Sequence, residues 1–321
     1  MKLGLAMPAE PASRRRAFFT WFLLVTLCLL WLGPPAGCSF RRAAPPQPQM
    51  RIVETRPKIG VALAGGGARG FAHIGALRVL EQEKIPIDLV VGSSVGSLIG
   101  ALYADQGRVL DAEYHALAIQ PEDLFDFRAL SILSGGLVKG ERLEKFVETQ
   151  LKSRRIEEMK VPYAAVAVDL ASGRAVVFDH GPLAPAVHAS CAIPGVFVPV
   201  TIDGVTYIDG GVREPIPIGT ARRLGADVVI ALTLPPPRPL SPPKGPIAII
   251  HHAVSLMSAE IEALKSGEAD AVIRPEVGTI DFDDFSQKRR LLEAGEEAAR
   301  RALPAILEAI DRHTRRDTLP L

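Results

Sequence analysis

The chain has 321 residues, with 37 Lys and Arg against 36 Asp and Glu, and 48% of its residues are hydrophobic. This composition excludes a disordered chain, which has few apolar residues, and a strongly basic protein that binds nucleic acid through its net charge. Three scattered cysteines without a C-x-x-C pair exclude a disulfide framework and give no sign of a zinc site. The length permits one large α/β domain or two small ones.

Residues 1–37 have the organisation of a secretory signal peptide. A basic cluster at 14–16 precedes the apolar run 18–32, which is shorter than the roughly 20 residues of a membrane-spanning helix. Small residues then lead into Cys38, and this arrangement resembles a lipoprotein signal peptide whose cysteine is lipidated after cleavage. Pro35 stands where that pattern prefers Leu, so an uncleaved membrane anchor and simple secretion remain alternatives.

Three further segments follow the signal peptide in the predicted organisation of the chain. Residues 38–57 are polar and rich in proline, which predicts an extended tether. Residues 58–312 show no second linker and are predicted to form one domain, and residues 313–321 are predicted to be a tail. The short segment 235–246 holds seven prolines and is predicted to be a surface loop.

Within residues 58–312, short β-branched runs alternate with helical stretches. The runs are apolar throughout, which indicates strands buried on both faces of a mainly parallel sheet that helices cover on each side. Strands are predicted at 59–64, 87–91, 163–169, 175–178, 205–208, 227–233 and 271–273. Helices are predicted at 68–83, 95–105, 141–152, 216–224, 253–266 and 287–311. The predicted fold class is therefore α/β with three layers, α/β/α.

The strongest local motif is G-x-S-x-G at residues 92–96, between a predicted strand and a predicted helix. In that setting Gly92 and Gly96 permit a tight turn, called a nucleophile elbow, which exposes the hydroxyl of Ser94 at a helix N-terminus. Ser94 is the predicted nucleophile. The alternative is a tight turn with a serine that caps the helix.

A second glycine-rich loop, Gly65-Gly66-Gly67-Ala68-Arg69-Gly70, joins the first predicted strand to the first predicted helix. Consecutive glycines let backbone N–H groups converge on one anion, either a phosphate or the oxyanion of acyl transfer. No Gly-Lys-Ser/Thr follows, and the spacing is not that of a dinucleotide-binding loop. With a nucleophile elbow on the next strand, the oxyanion hole is the favoured interpretation.

A third motif, Asp209-Gly210-Gly211, ends the predicted strand 205–208. An aspartate followed by two glycines can project into a site with little steric cover. Spacing alone favours a plain turn.

The three motifs in this order resemble those of the patatin-like phospholipase family, in which the patterns are G-G-G-x-[RK]-G, G-x-S-x-G and D-G-[GA]. The likeness extends through residues 169–173 and 189–194 and covers the chain from about Lys58 to the C-terminal helix. It implies a three-layer α/β/α fold and a Ser-Asp dyad, here Ser94 and Asp209, that hydrolyses acyl esters of lipids. The resemblance implies no cofactor and no metal.

The residues themselves also favour Asp209 as the base. A serine hydrolase in the usual order needs a histidine downstream of its aspartate, and only His251, His252 and His313 qualify. None of them lies in a glycine-flanked loop after a predicted strand. The oxyanion is expected to bind the N–H groups of Gly66 and Gly67, with Arg69 orienting the loop.

These observations predict a serine acyl hydrolase of the phospholipase A or lysophospholipase type, with phospholipid or lysophospholipid as substrate and no nucleic acid partner. A lipid on Cys38 would hold it at a membrane of the cell envelope. One alternative is a catalytically weak lipid-binding or regulatory protein of the same fold, and another is phosphate or nucleotide binding at the loop 65–70. The oligomeric state is left open.

Overall fold

The computed structural model describes residues 50–126, 136–235, 243–281 and 283–320. The predicted signal peptide, Cys38 and most of the predicted tether lie outside these ranges. Residues Ile52–Thr318 form one compact unit, and a second unit combines Met1–Arg51 with Leu319–Leu321. Within the described ranges no helix is both long enough and apolar enough to cross a membrane.

Ten strands lie within the described residues and form two sheets. They are β1 (Met50–Thr55), β2 (Ile59–Leu63), β3 (Leu89–Ser93), β4 (Tyr163–Asp169), β5 (Ala175–Phe178), β6 (Val200–Ile202), β7 (Val205–Asp209), β8 (Val228–Leu232), β9 (Ala271–Ile273) and β10 (Arg315–Pro320). The large sheet has the order β6-β7-β4-β3-β2-β8-β9, and β5 also pairs with β4. Strands β1 and β10 form a separate two-stranded sheet.

The large sheet is mixed. Strands β4, β3, β2, β8 and β9 run parallel, whereas β5 and β7 pair antiparallel with β4. Strand β6 is antiparallel to β7. Every residue of β2, β3 and β8 is buried, as the unbroken apolar runs predict.

The described helices are α1 (Phe71–Gln82), α2 (Val95–Gln106), α3 (Val109–Ala118), α4 (Pro121–Leu124), α5 (Glu141–Gln150), α6 (Leu183–Ser190), α7 (Ile218–Arg223), α8 (Pro246–Lys265) and α9 (Lys288–His313). Two hydrophobic cores lie on opposite faces of the sheet. Val61 and Leu63 of β2 pack in the larger core, which includes α1, α2 and α9. Their neighbours Ala62 and Ala64 pack in a smaller core with α7. This confirms the predicted three-layer α/β/α fold.

Some elements differ from those predicted. Helix α8 begins at Pro246, seven residues before the predicted helix, because proline at the first helical position loses no hydrogen bond. The predicted surface loop therefore ends in a helix, and its residues 236–242 lie outside the described ranges. Strand β1 includes residues of the predicted tether, and β10 lies in the predicted tail. The domain boundaries themselves remain predictions.

Helices α1 and α9 meet through a pair of glycines. A Cβ added at Gly75 of α1 would lie 1.9 Å from the backbone oxygen of Leu292, and one added at Gly295 of α9 would lie 1.9 Å from that of Ala72. Each distance is far below van der Waals contact with backbone atoms. The two helix backbones can therefore pack this closely only if both positions lack a side chain.

We expect Gly75→Ala to lower the free energy of unfolding by at least about 2 kcal/mol, because the added methyl would push α9 away from α1. Gly267→Ala is the matched control, since nothing lies within 4 Å of its added Cβ. We expect it to change stability by less than about 0.5 kcal/mol. Urea denaturation measures both variants, and equal stabilities would contradict the proposed close contact.

Candidate active site

The pairing of β4 with two neighbouring strands brings the predicted nucleophile and base together. Ser93, the last residue of β3, pairs with Val166 of β4. Asp209, the last residue of β7, pairs with the next residue of β4, Ala167. Both strand ends therefore meet at one point of the same sheet, and Ser94 follows Ser93 directly.

The backbone at Ser94 makes the sharp turn that its motif predicts. Ser94 has φ of 53° and ψ of −131°, in the left-handed region that side chains other than glycine rarely adopt. The carbonyl of Ser94 accepts a hydrogen bond from Ser97 Oγ (2.7 Å) and from the Ser97 N–H (2.8 Å). The strained residue is thus held in place at the N-terminus of α2, where the helix dipole favours negative charge.

Gly92 and Gly96 are required by close contact. A Cβ at Gly92 would lie 2.2 Å from the backbone oxygen of Gly96, and one at Gly96 would lie 2.2 Å from that of Leu63. The elbow therefore packs directly against the end of β2, where the glycine-rich loop begins.

Asp209 is buried, and its surroundings perturb its carboxyl group. Its Oδ1 accepts a hydrogen bond from the Gly211 N–H (2.7 Å), and its Oδ2 has no hydrogen-bond partner among the described residues. Burial raises the pKa of Asp209 to about 6, and the Ser94 side chain and the Gly211 N–H oppose this rise by favouring the carboxylate. The Ser94 side chain is therefore near enough to influence the charge of Asp209.

The glycine-rich loop lies beside Ser94. A Cβ at Gly65 would lie 3.1 Å from Ser94 Cβ, so the loop and the elbow are in contact. The Gly65 N–H already donates to the carbonyl of Pro215 (3.0 Å). Among the described residues, the N–H groups of Gly66 and Gly67 have no hydrogen-bond acceptor. These two groups are the donors that the sequence predicts for an oxyanion.

Arg69 supports the loop from within. Its side chain is buried and donates from Nε to the carbonyl of Gly66 (3.0 Å) and from Nη1 to that of Pro235. Burial lowers the pKa of Arg69 to about 10, which leaves it cationic at neutral pH, and the carboxylates of Glu262 and Asp281 favour that charge. The contacts agree with the predicted orienting role.

One side chain of the site had no signal in the sequence. Glu262 of α8 lies in the same cavity as Ser94 and Asp209. Burial raises its pKa to about 7, and Arg69 and Arg274 oppose that rise. Nothing in the residues around Glu262 predicts its position, because α8 reaches the site only through tertiary packing.

The segment 189–194, for which the sequence suggests no role, ties the two strand ends together. The Ser94 N–H donates to Ser190 Oγ (3.1 Å), and Ser190 Oγ donates to the carbonyl of Val166 (2.6 Å). The Asp209 N–H donates to the carbonyl of Ala192 (2.9 Å). One short segment thus fixes the backbone of both predicted catalytic residues.

The histidines occupy different surroundings. His251 lines the cavity that holds Ser94 and Asp209, although no local motif favours this histidine. His73 is buried, and its Nε2 donates to the carbonyl of Ala64 (2.9 Å), while burial lowers its pKa to about 4 and keeps it neutral. Among the described residues, no three His, Cys, Asp or Glu side chains cluster closely enough to hold a metal ion.

The amino-acid sequence of the chain is similar to those of known proteins. The family model described as "Patatin-like phospholipase" matches residues 61–222. An uncharacterized NTE family protein of Mycobacterium tuberculosis is 36% identical over 178 residues, which cover 56% of this chain and 49% of that protein. The human patatin-like phospholipase domain-containing protein 6 is 33% identical over 188 residues, 56% of this chain and 14% of that protein. The chain thus spans about half the length, or less, of these curated relatives.

Two solved structures are similar over most of the chain. VipD from Legionella pneumophila has a TM-score of 0.49 and 13% identity, and the match covers 84% of this chain and 71% of that one. Full-length ExoU of Pseudomonas aeruginosa, in complex with SpcU, has a TM-score of 0.48 and 16% identity, covering 89% of this chain and 64% of that one.

The buried carboxyl of Asp209 predicts how stability depends on pH. Its pKa rises from 3.8 in the unfolded chain to about 6 in the folded protein. Its contribution to the free energy of unfolding is therefore fully present below pH 3.8 and is lost as pH rises through 6. Asparagine carries no charge, so it does not lose this contribution. We expect the free energy of unfolding of Asp209→Asn, taken relative to wild type, to be about 2 to 3 kcal/mol higher at pH 7.5 than at pH 4. Urea denaturation at both pH values measures the difference.

Asp169→Asn is the control of opposite sign. Asp169 is half-buried at the end of β4, and its hydrogen bonds with Ser172 and the Ala171 N–H lower its pKa. That contribution is present above the unfolded pKa and is lost as pH falls, so this variant should lose stability at pH 7.5 relative to pH 4. If both variants respond to pH alike, the carboxyl of Asp209 does not carry the buried charge inferred for it.

Proposed function

The chain belongs to the patatin-like phospholipase family, and on this premise we propose that it is a serine acyl hydrolase that cleaves carboxylic esters of lipids through Ser94 and Asp209. The observation that carries the proposal is a buried carboxyl next to a strained serine, with two loop N–H groups beside them that have no hydrogen-bond partner among the described residues. The expected substrates are phospholipids or lysophospholipids, in keeping with the family.

In the first half of the reaction, Ser94 Oγ attacks the ester carbonyl carbon and its proton passes to the carboxylate of Asp209. The N–H groups of Gly66 and Gly67 stabilise the resulting oxyanion. The C–O bond to the alcohol then breaks, and the alcohol leaves with the proton from Asp209. The acyl group remains bonded to Ser94.

In the second half, Asp209 takes a proton from a water molecule that attacks the acyl-enzyme. A second oxyanion forms in the same hole, the bond to Ser94 Oγ breaks, and the proton returns to that oxygen as the fatty acid leaves. In both halves of this proposed reaction, Asp209 is the base.

The elevated pKa of Asp209 suits this role. An exposed aspartate is a weak base, because its pKa lies far below neutral pH. With a pKa of about 6, Asp209 is mostly ionised at pH 7 and accepts a proton more readily than an exposed carboxylate does. The burial that raises this pKa therefore serves the proposed chemistry.

We expect Ser94→Ala and Asp209→Asn each to lower kcat/KM for a p-nitrophenyl acyl ester by at least about 1000-fold, since each removes one half of the dyad. A fluorophosphonate probe should label wild type but not Ser94→Ala. Release of p-nitrophenol and the labelling yield are the measurements.

His251→Ala is the control, because this histidine lines the same cavity. The Ser-Asp dyad predicts a much smaller loss for His251→Ala than for Asp209→Asn. If His251→Ala loses as much kcat/KM as Ser94→Ala does, the catalytic pair is Ser94 and His251 and the Ser-Asp dyad is wrong. Negligible turnover and no labelling of wild type would instead favour the catalytically weak lipid-binding protein.

For the location, we propose that a lipid on Cys38 attaches the mature chain to a membrane of the cell envelope, and this rests on the sequence of residues 14–38 alone. Mass spectrometry of the purified N-terminus should find diacylglycerol on Cys38, and Cys38→Ala should abolish that mass shift. An intact Met1 would rule out the lipidated form and favour an uncleaved anchor.

A further inference from the structure

Two cavities of different character meet at Ser94. One encloses about 680 Å³ and the other about 590 Å³, each including its open mouth. Ser94, Gly67 and Ile193 line both cavities.

The larger cavity, called the polar cavity below, has apolar wall residues such as Leu234 and Val254 together with many polar ones. Besides Asp209 it is lined by the side chains of Arg69, His251, Ser255, Ser258 and Glu262. Three of these are titratable, and α8 supplies most of them. A group that enters this cavity therefore meets charges and hydroxyls.

The smaller cavity is apolar. Its walls include Phe71, Leu98, Ile119, Leu124, Leu143 and Phe197, all of them buried. These side chains come from α1, α2, α4, α5 and the segments between elements. The thiol of Cys191 also lines it, and burial raises the pKa of that thiol, so it is neutral there.

The reaction centre lies where the cavities join. An ester carbonyl held with its carbon at Ser94 Oγ and its oxygen at the Gly66 and Gly67 N–H groups has two remaining substituents, the acyl chain and the alcohol oxygen. The two cavities provide separate spaces for two such substituents. An acyl chain in the polar cavity would take water away from the carboxyl of Glu262 and from the other polar side chains that line it, which is costly.

We propose that the apolar cavity binds the acyl chain of the substrate and that the polar cavity receives its alcohol part. This proposal rests on the proposed function and adds the orientation of the substrate. Each methylene group buried in the apolar cavity contributes about fourfold to kcat/KM, until the chain reaches the end of the cavity. The walls of this cavity therefore determine which acyl-chain length is preferred.

Leu124 offers a direct test, because it lines the apolar cavity and not the polar one. The substrates are p-nitrophenyl esters from acetyl to palmitoyl, in which the alcohol part is constant. We expect Leu124→Phe to lower kcat/KM for long chains at least tenfold relative to acetate, since the ring fills the cavity. Leu124→Ala should shift the preferred chain length upward by one or more methylene groups.

Val254→Phe is the matched control, since Val254 lines the polar cavity alone. We expect it to leave the ratio of long-chain to acetyl activity unchanged. The ratio is the readout because a loss of folded protein lowers both activities equally and does not change it. The thermal midpoint of each variant is measured alongside.

The outcomes separate this proposal from the function it rests on. If wild type hydrolyses no ester, the proposed function fails. If wild type is active but Val254→Phe, and not Leu124→Phe, changes the chain-length ratio, the acyl chain lies in the polar cavity. If neither variant changes the ratio, neither cavity holds the chain, and the proposed orientation is overturned while the hydrolase remains.

Discussion

Two consecutive residues of β4 position the whole candidate site. Val166 holds the end of β3, and Ala167 holds the end of β7. The hydrogen-bond ladder of a sheet fixes register to a single residue, because a slip by one position turns every side chain to the opposite face. The separation between Ser94 and Asp209 is thus set by backbone pairing in the buried centre of the sheet, and long flexible side chains play no part in it.

Several features of the site oppose stability, and the surrounding packing compensates for them. Ser94 has an unfavourable φ, Asp209 keeps a carboxyl group in a buried position, and Arg69 is a buried cation. Each costs free energy in isolation. Two cores on opposite faces of the sheet hold these groups, and the segment 189–194 donates and accepts the hydrogen bonds that keep both strand ends in place. Backbone strain at a residue such as Ser94 is typical of functional sites.

Much of the fold and the centre of the site could be predicted from the sequence because their signals are local. The apolar runs at β2, β3 and β8 indicate burial on both faces, and the strands 163–169, 175–178 and 271–273 have the predicted bounds. The elbow could likewise be predicted from its glycines, since close backbone contact at these positions leaves no room for a side chain. The roles of Ser94 and Asp209 stay predictions, because proximity in a structure does not measure catalysis.

Other parts depend on contacts between distant residues and leave no local signal. Helices α3 and α6 and strand β6 escaped prediction, because β6 is only three residues long and α6 is apolar on nearly every side. Ser190 is one of many serines in the chain until the fold brings it to Ser94. His251 and Glu262 reach the site only because α8 packs across it, and two walls of different polarity arise from side chains scattered over more than 200 positions.

The glycine contact between α1 and α9 bears on how the chain acquires its structure during translation. Gly75 and Gly295 are 220 positions apart, so α1 and the sheet face beneath it stay exposed until the ribosome has released nearly all of the domain. Domains are made from the N-terminus onward, and apolar surface that waits for its partner is prone to aggregate. A nascent chain that already contains both the elbow and Asp209 still lacks this covering helix. Completion of this face of the fold therefore depends on the late synthesis of α9.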